Sequence, residues 1–535
     1  MNNQKVENRP QLIKTTSKYV QKIKNRFPIN KKPPTNLELD KYAILISFIS
    51  GLFLAFSMPG FNFSILAWIG LVPLIILINN SKSLRKSLLY SLTFGLGFNL
   101  LSLSWFTGLH PLEWLGFSNN NSFILTRSIW IYLSLYSSYF LAIFGLATYV
   151  ATHLKINTVG KSLLIALSWS IIINKLMALG EFAFPWSMIE YSQYLNLSLL
   201  QFAQYIGGIG IGFFIIFINS LLAFIIYELI NKNIELKPAL VKITTITASV
   251  VIIHIIGFII LSIPVKPDKI ITATVIQGNI TVEEEKKDAL SINTAKAYFL
   301  KEIKKAPSGL VVIPETAFFE VLRLNDINFY SELETIAKNQ NKTIILGTVD
   351  VTFENKKLIP TNSAIVLDKT LQTNENSIYD KQRLVPFGEY TPFSNILPDY
   401  LKRFTSTAGK TDFYKGNTIK VINTSFGNVA PNICYEMIFP DLIKSQIKNN
   451  ANILVGLSNL SWFRNSIIKE QFVAFSTMRA AEARKPLIFS ANTGHSVIIN
   501  PNGKILRKLP KNSYSSAAIS IGYNNEKSFF SKTIF

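Results

Sequence analysis

The feature that most constrains this chain is a series of long apolar runs, because a bilayer core of about 30 Å admits a helix only where roughly 20 consecutive residues are mostly apolar. Runs of that kind stand near residues 42–57, 62–79, 86–106, 124–150, 160–179, 207–230 and 243–264 of the 535-residue chain. They predict about seven transmembrane helices, all in the first half. The first run is short and ends at Ser57-Met58-Pro59-Gly60, where the Pro-Gly pair is expected to turn the chain into the second. No small-residue cleavage site follows it, so it reads as an uncleaved anchor and not as a signal peptide. Gly207-Gly208-Ile209-Gly210 reads as close helix packing in lipid.

A net charge of +22 would suit a nucleic-acid binder, but its placement does not. Basic residues crowd the first forty positions, from Lys5 and Arg9 to Lys31 and Lys32, and then recur in alternate loops between the apolar runs. With a cytoplasmic N-terminus, the inside loops hold Lys82, Arg85 and Lys86, then Lys155 and Lys161, then Lys232, Lys237 and Lys242. The outside loops hold Glu113, Glu181 and Glu190 instead. That is the positive-inside bias, and an odd number of spans puts everything after Pro264 outside the cytoplasm, which in a bacterium is the periplasmic face of the inner membrane. Nucleic acid is therefore not the expected partner. The lone cysteine, Cys434, excludes an intramolecular disulfide and leaves the redox compartment open.

From about Lys266 the texture changes to short β-rich runs separated by charged, helix-compatible stretches, the pattern of a layered α/β domain. Strands are expected at 272–277, 310–313, 343–347, 364–367, 428–433, 453–457 and 487–491. The predicted organisation is a basic segment at 1–41, a helical bundle at 42–264, a catalytic domain at 266–520 and a tail at 521–535.

Three polar residues stand where strand-like segments end, which is where layered α/β folds usually place their sites. They are Glu315 after Val311-Val312-Ile313-Pro314, Lys381 after Tyr379-Asp380, and Cys434 within Pro431-Asn432-Ile433-Cys434-Tyr435-Glu436. Singly none is decisive: a carboxylate after a strand is commonly a cap, a loop lysine is commonly solvated, and a lone cysteine is commonly buried filler. His495 offers a competing Cys-His pair. No cluster has metal-ligand spacing, and neither a metal nor an organic cofactor is expected.

In this order the three residues resemble the Glu-Lys-Cys triad of the nitrilase superfamily of carbon-nitrogen hydrolases, over roughly residues 270 to 520. Supporting motifs are Val275-Ile276-Gln277-Gly278-Asn279-Ile280, Leu384-Val385-Pro386-Phe387-Gly388-Glu389-Tyr390, Arg479-Ala480-Ala481-Glu482 and Asn492-Thr493-Gly494. The resemblance implies a nitrilase-like α-β-β-α sandwich appended to a multi-span α-helical membrane bundle. A thiol near its ordinary pKa of about 8.5 is only a few per cent thiolate at neutral pH, so Cys434 needs a partner. Glu315 is the candidate base. Lys381, with the main-chain N–H of Tyr435, would hold the oxyanion, a contact worth about 2.7–4 kcal/mol in other enzymes. Glu389 and Glu436 would fix the lysine and polarise the site, with structural support around it as the equal alternative to direct chemistry.

A bundle joined to such a domain is similar to the apolipoprotein N-acyltransferase family. The motifs that narrow it are Phe184-Pro185-Trp186 with Tyr191-Ser192-Gln193 in an outside loop, the full Val385–Tyr390 segment, and Ile433-Cys434-Tyr435-Glu436. The resemblance implies transfer of an acyl group from a membrane phospholipid, through a Cys434 thioester, to the α-amine of a diacylglyceryl cysteine on an apolipoprotein acceptor. Phe184, Trp186 and Trp462 are the candidate substrate contacts; Trp105 and Trp114 join the first two as boundary aromatics, whose bland reading is an interfacial belt. A monomer is expected. The sequence departs from the family pattern Asn-Asp-Ala-Trp-Phe-Gly at Asn459-Leu460-Ser461-Trp462-Phe463-Arg464, has Phe472 where a histidine is usual, lacks a tryptophan at 281–288, and ends at Phe535 where many members add a helix. These departures bear on acceptor handling and on how the domain is tied down. The alternatives are a membrane-tethered amidase or nitrilase, in which water resolves the acyl-enzyme, and a non-catalytic scaffold.

Overall fold

The computed structural model describes residues 36–281, 284, 289–318, 320–354, 357–371, 374–393 and 412–532. Most of the basic segment expected at 1–41, and most of 281–288, lie outside them. The chain divides into two compact units, residues 1–46 and 47–535; the features below belong to the second, and helix α1 (Asn36–Ala55) begins in the first.

Each apolar run forms helix. After α1 come α2 (Val72–Asn80), α3 (Leu84–Ser102), α4 (Asn119–His153), α5 (Thr158–Trp169), α6 (Ala203–Ile230) and α7 (Leu236–Ser262). Four stretches, Asn119–His153, Thr158–Ala178, Ala203–Ile230 and Leu236–Ser262, are long and apolar enough to cross a membrane. The segments Lys41–Ala55 and Ser64–Asn80 are shorter. The second expected span is broken: a 3-10 turn at Ser64–Trp68 precedes α2, and buried Asn219 of α6 repairs the gap. Its Oδ1 accepts the Leu71 N–H at 3.0 Å and its Nδ2 donates to the Ala67 carbonyl at 2.8 Å, which keeps a helix break inside the bundle from leaving bare backbone in lipid. Pro59-Gly60 does turn the chain, with Gly60 at φ +103°.

The second half is a sandwich of two six-stranded sheets among the described residues. One holds β1 (Lys269–Gln277), β2 (Gly309–Val312), β3 (Lys342–Glu354), β4 (Lys357–Leu367) and β5 (Ile378–Asp380), with the last strand, β12 (Ser515–Tyr523), beside β1. The other holds β6 (Ile422–Thr424), β7 (Gly427–Ile433), β8 (Ile453–Ser458), β9 (Leu487–Ala491), β10 (Val497–Ile499) and β11 (Ile505–Lys508) in that order. All seven predicted strands are present. Strand β12 runs to Tyr523, three residues past the expected domain end at 520.

Alternation along the strands divides the apolar residues between two cores. Ala273, Val275, Val312 and Ile345 of the first sheet meet Val429, Val455 and Ile488 of the second between the sheets. Ile276, Val311 and Ile344 face outward against Phe299 and Ile303 of α8 (Ala289–Lys305) and Leu333 of α9 (Ile327–Asn339). Helices α10 (Pro440–Lys448) and α11 (Ile468–Ala483) belong to the second sheet's side. The α-β-β-α expectation therefore holds.

Helix α11 is buried at every position but Glu470, because it also touches the bundle. Gln471 donates to the Ser102 carbonyl at 3.0 Å, and Glu482, paired with Arg479 at 2.9 Å, accepts the Gly208 N–H at 2.7 Å. Gly207 has φ +67°, a break within α6 that frees that N–H. The glycine motif expected to pack helices in lipid thus docks a carboxylate of the catalytic domain.

Candidate active site

Strands β2 and β3 are parallel, and the antiparallel steps from β3 to β4 and from β4 to β5 restore the original direction. Glu315 and Lys381 therefore leave the same edge of the first sheet, and Cys434 leaves the end of β7 in the other. Gly347 lets β3 pass beneath the glutamate turn: a Cβ there would lie 2.5 Å from both Glu315 Cα and the Pro314 oxygen. Cys434 opens a 3-10 turn at Cys434–Ile438 with φ +50°, a backbone conformation that non-glycine residues adopt only where the surroundings impose it.

The three candidate side chains converge. Lys381, 1% exposed, donates to Glu315 Oε1 at 3.0 Å and to Glu389 Oε1 at 2.8 Å. Asn362 bridges the same two carboxylates, at 2.8 Å to Glu315 and 2.6 Å to Glu389. The second Glu315 oxygen accepts the Asn459 main-chain N–H at 2.8 Å, and the second Glu389 oxygen accepts that of Val385 at 2.7 Å. The half-buried Cys434 thiol receives a hydrogen bond from the Ser458 hydroxyl at 3.3 Å. Asn362, Ser458 and Asn459 were not legible as site residues; Ser458 and Asn459 did sit at the end of a predicted strand.

Burial and then the Glu315 charge push the Cys434 thiol well above its ordinary range, against the opposing pull of Lys381. Burial alone would lower the Lys381 pKa, but Glu315 and Glu389 outweigh it and hold the ammonium above its ordinary value. Removal of the thiol proton is thus a task for a base during attack.

Glu436 has no hydrogen bond to Lys381 among the described residues and takes the structural alternative. Its Oε1 accepts from the Gln382 N–H at 2.6 Å and the Tyr379 hydroxyl at 2.8 Å, and its Oε2 accepts the Ile433 N–H at 2.6 Å. It ties the Cys434 turn to the lysine loop, and burial raises its pKa to about 7. The Tyr435 phenol donates to the Ala183 carbonyl of the bundle.

The aromatic residues form a buried seam between bundle and domain. Trp105 and Trp186 are 3% and 4% exposed with ring centres 4.7 Å apart, so they are not a lipid-facing belt. The Trp186 indole donates to Gln471 at 2.7 Å, and Phe184, half-buried, stacks on Trp186 at 5.5 Å. Phe472 packs edge-on against Trp186 at 5.9 Å. Trp462 is half-buried in the turn Ser461–Phe463, and the side chain of Trp114 lies outside the described residues. Arg464, with φ +46°, donates to the carbonyls of His110 at 3.0 Å and Pro111 at 3.2 Å, so this departure ties the domain to a bundle loop. Leu460 is fully buried.

His495 bonds to Glu470 at 2.8 Å and to the Leu509 carbonyl at 2.8 Å, and no hydrogen bond joins it to Cys434 among the described residues. No group of three or more His, Cys, Asp or Glu with metal-binding proximity occurs among the described residues.

Apolar helices continuous with a two-sheet sandwich whose strand ends bring together a cysteine, a lysine and two glutamates define a membrane-embedded enzyme of the carbon-nitrogen hydrolase class. Residues 272–525 match the carbon-nitrogen hydrolase model, and residues 50–221 match the apolipoprotein N-acyltransferase N-terminal domain. The apolipoprotein N-acyltransferase of Haemophilus influenzae is 29% identical over 88% of each chain. That of Wigglesworthia glossinidia brevipalpis is 30% identical over 85% of this chain and 87% of its own. The chain belongs to the apolipoprotein N-acyltransferase family, and it is an N-acyltransferase. Among solved structures, Saccharomyces cerevisiae Nit3, of the nitrilase superfamily, matches with TM-score 0.36 and 15% identity over 48% of this chain and 91% of that one.

Proposed function

We propose that this protein takes an acyl chain from a membrane phospholipid onto Cys434 and passes it to the N-terminal amine of a diacylated apolipoprotein, acting as a monomer at the periplasmic face of a bacterial inner membrane. Seven spans, from 42 to 264, hold the catalytic domain there, as the loop charges favour.

Glu315 takes the thiol proton as sulfur attacks the ester carbonyl. Two of the three Lys381 ammonium protons go to Glu315 and Glu389; the third, with the Tyr435 main-chain N–H, meets the oxyanion. The ester C–O bond breaks and the lysophospholipid alkoxide leaves with the proton from Glu315. In the second half the acceptor nitrogen attacks the thioester, Glu315 receives the amine proton, and the thiolate leaves to be reprotonated. Phe184 and Trp462, both partly exposed, line the lipid approach, and Trp186 stacks beneath Phe184.

The observation that carries this reading is the seating of the nucleophile turn on the membrane half: the residue after the thiol, Tyr435, bonds to Ala183 of the bundle. A soluble amide substrate needs no such junction, whereas a substrate confined to the bilayer must reach the thiol along it. The test is to supply the protein in detergent with labelled phospholipid and a diacylated lipopeptide. Label is expected on the lipopeptide with a free amine and absent from its N-acetylated form. Release of free fatty acid alone, with or without the amine, would overturn the reading in favour of a tethered hydrolase.

A further inference from the structure

Three consecutive main-chain carbonyls in the outside loop between α5 and α6 each accept a tyrosine hydroxyl. Glu181 O accepts from Tyr390 at 2.9 Å, Phe182 O accepts from Tyr136 at 2.9 Å, and Ala183 O accepts from Tyr435. The three donors come from three places. Tyr390 follows Glu389 in the loop that holds Lys381, Tyr435 follows the nucleophile, and Tyr136 lies in transmembrane helix α4. Between the outer two contacts the Phe182 ring packs on Phe387 at 5.7 Å and on Phe393 at 5.3 Å, both on the lysine loop.

The geometry points to residues 181–183 as a positioning loop through which helix α4 sets the relative placement of Lys381 and Cys434, with Tyr136 and Tyr390 as positioning residues for acyl transfer. Lys381 leaves the first sheet and Cys434 the second, so their spacing depends on groups that bridge the two strand ends. Glu436 is one such bridge, inside the domain. The loop is another, outside it, because peptide units 181 to 183 are too short a span to let one tyrosine anchor move without the other. Tyr136 holds the middle carbonyl, so a shift of α4 acts on both sides of the site at once. The consequence is an enzyme whose thiol environment responds to the state of its transmembrane helix.

The inference rests on the reading of Cys434 as nucleophile, and its test is chosen to separate the two. The full-length protein in phospholipid nanodiscs is compared with Tyr390→Phe, Tyr136→Phe and the double variant, each change deleting one hydroxyl. Tyr132→Phe, at a neighbouring tyrosine of α4 that is 63% exposed, is the control. Two quantities are read: the rate of Cys434 alkylation by iodoacetamide, and kcat and KM for transfer from labelled phospholipid to a diacylated lipopeptide, per titrated thiol. Tyr390→Phe and Tyr136→Phe should each slow alkylation and lower kcat about fivefold, the worth of one hydrogen bond, with KM unchanged. The double variant should be no worse than the worse single one, since the second contact has no function once the loop is slack. An alkylation rate in Tyr136→Phe equal to that of Tyr132→Phe, or additive effects in the double variant, overturns the proposal. Absence of transfer in the unsubstituted protein would overturn the proposed function, and the alkylation rates would still decide the role of the loop.

Discussion

The Asn459 main-chain N–H donates to Glu315 Oε2 at 2.8 Å, so the proposed base, from the first sheet, is held by the first residue after a strand of the second. The other oxygen is shared between Lys381 and Asn362. Both oxygens of the carboxylate are thereby fixed, the condition for a base that must meet a proton at one place.

That arrangement makes the lysine intolerant of its usual substitute. Lys381 is enclosed between two carboxylates, and a planar, bulkier guanidinium cannot hold both and still aim one N–H at a single oxygen. Lys381→Arg should lower kcat per titrated thiol by roughly 100-fold to 1,000-fold. Glu315→Gln should fall as far for a different reason, keeping shape and losing proton transfer. Turnover by Lys381→Arg at the unsubstituted rate would reduce Lys381 to a structural residue.

The thiol should behave as a weak acid. Because burial and Glu315 push its pKa up, the thiolate fraction grows with pH throughout the neutral range and does not saturate there. Alkylation of Cys434 by iodoacetamide should therefore rise about tenfold per pH unit from 7 to 9 with no plateau. A plateau below pH 8 would mean a standing thiolate and a different role for Glu315.

His495 should prove a matter of stability. Burial would raise the Glu470 pKa, but His495 and Lys508 bring it down to about 2. A depressed carboxylate stabilises the fold above its unfolded value of about 4.3, and that contribution is lost as pH falls toward 2. His495→Gln should transfer acyl groups normally while unfolding at lower denaturant, with less loss of stability on acidification from pH 5 to 3 than the unsubstituted protein shows. Loss of transfer by well-folded His495→Gln would revive the Cys-His reading.

Topology follows from the loop charges. A reporter fused after residue 235 should read cytoplasmic and one after residue 300 periplasmic. A cytoplasmic reading at 300 would remove the odd number of spans and put the site out of reach of its acceptor.

Much of this was legible because the signal was local. Most strands were short apolar runs; Cys434 directly follows one of them and Glu315 stands three residues past the end of another, whereas the short strand before Lys381 was not among those expected. What was not legible depends on which distant segments meet. Asn362 lies inside β4 with nothing in its neighbours to mark it, and its importance comes from reaching Glu315 and Glu389 together. Trp105 and Trp186 looked like a membrane belt because hydropathy does not say whether protein or lipid covers a ring; here Phe463, Tyr435 and Phe475 do. For Glu436 the sequence left contact with the lysine and structural support equally open, and its oxygens take main-chain N–H groups.

The proposed acyl-enzyme is covalent, and a ping-pong transfer requires that its first half proceed with donor alone. Incubated with phospholipid and no acceptor, the protein should gain one acyl mass on Cys434, removable by hydroxylamine and discharged by a diacylated lipopeptide with a free amine. Cys434→Ala should never acquire it. Transfer to the lipopeptide with no acyl mass on Cys434, or an adduct that survives the free amine, would contradict the account.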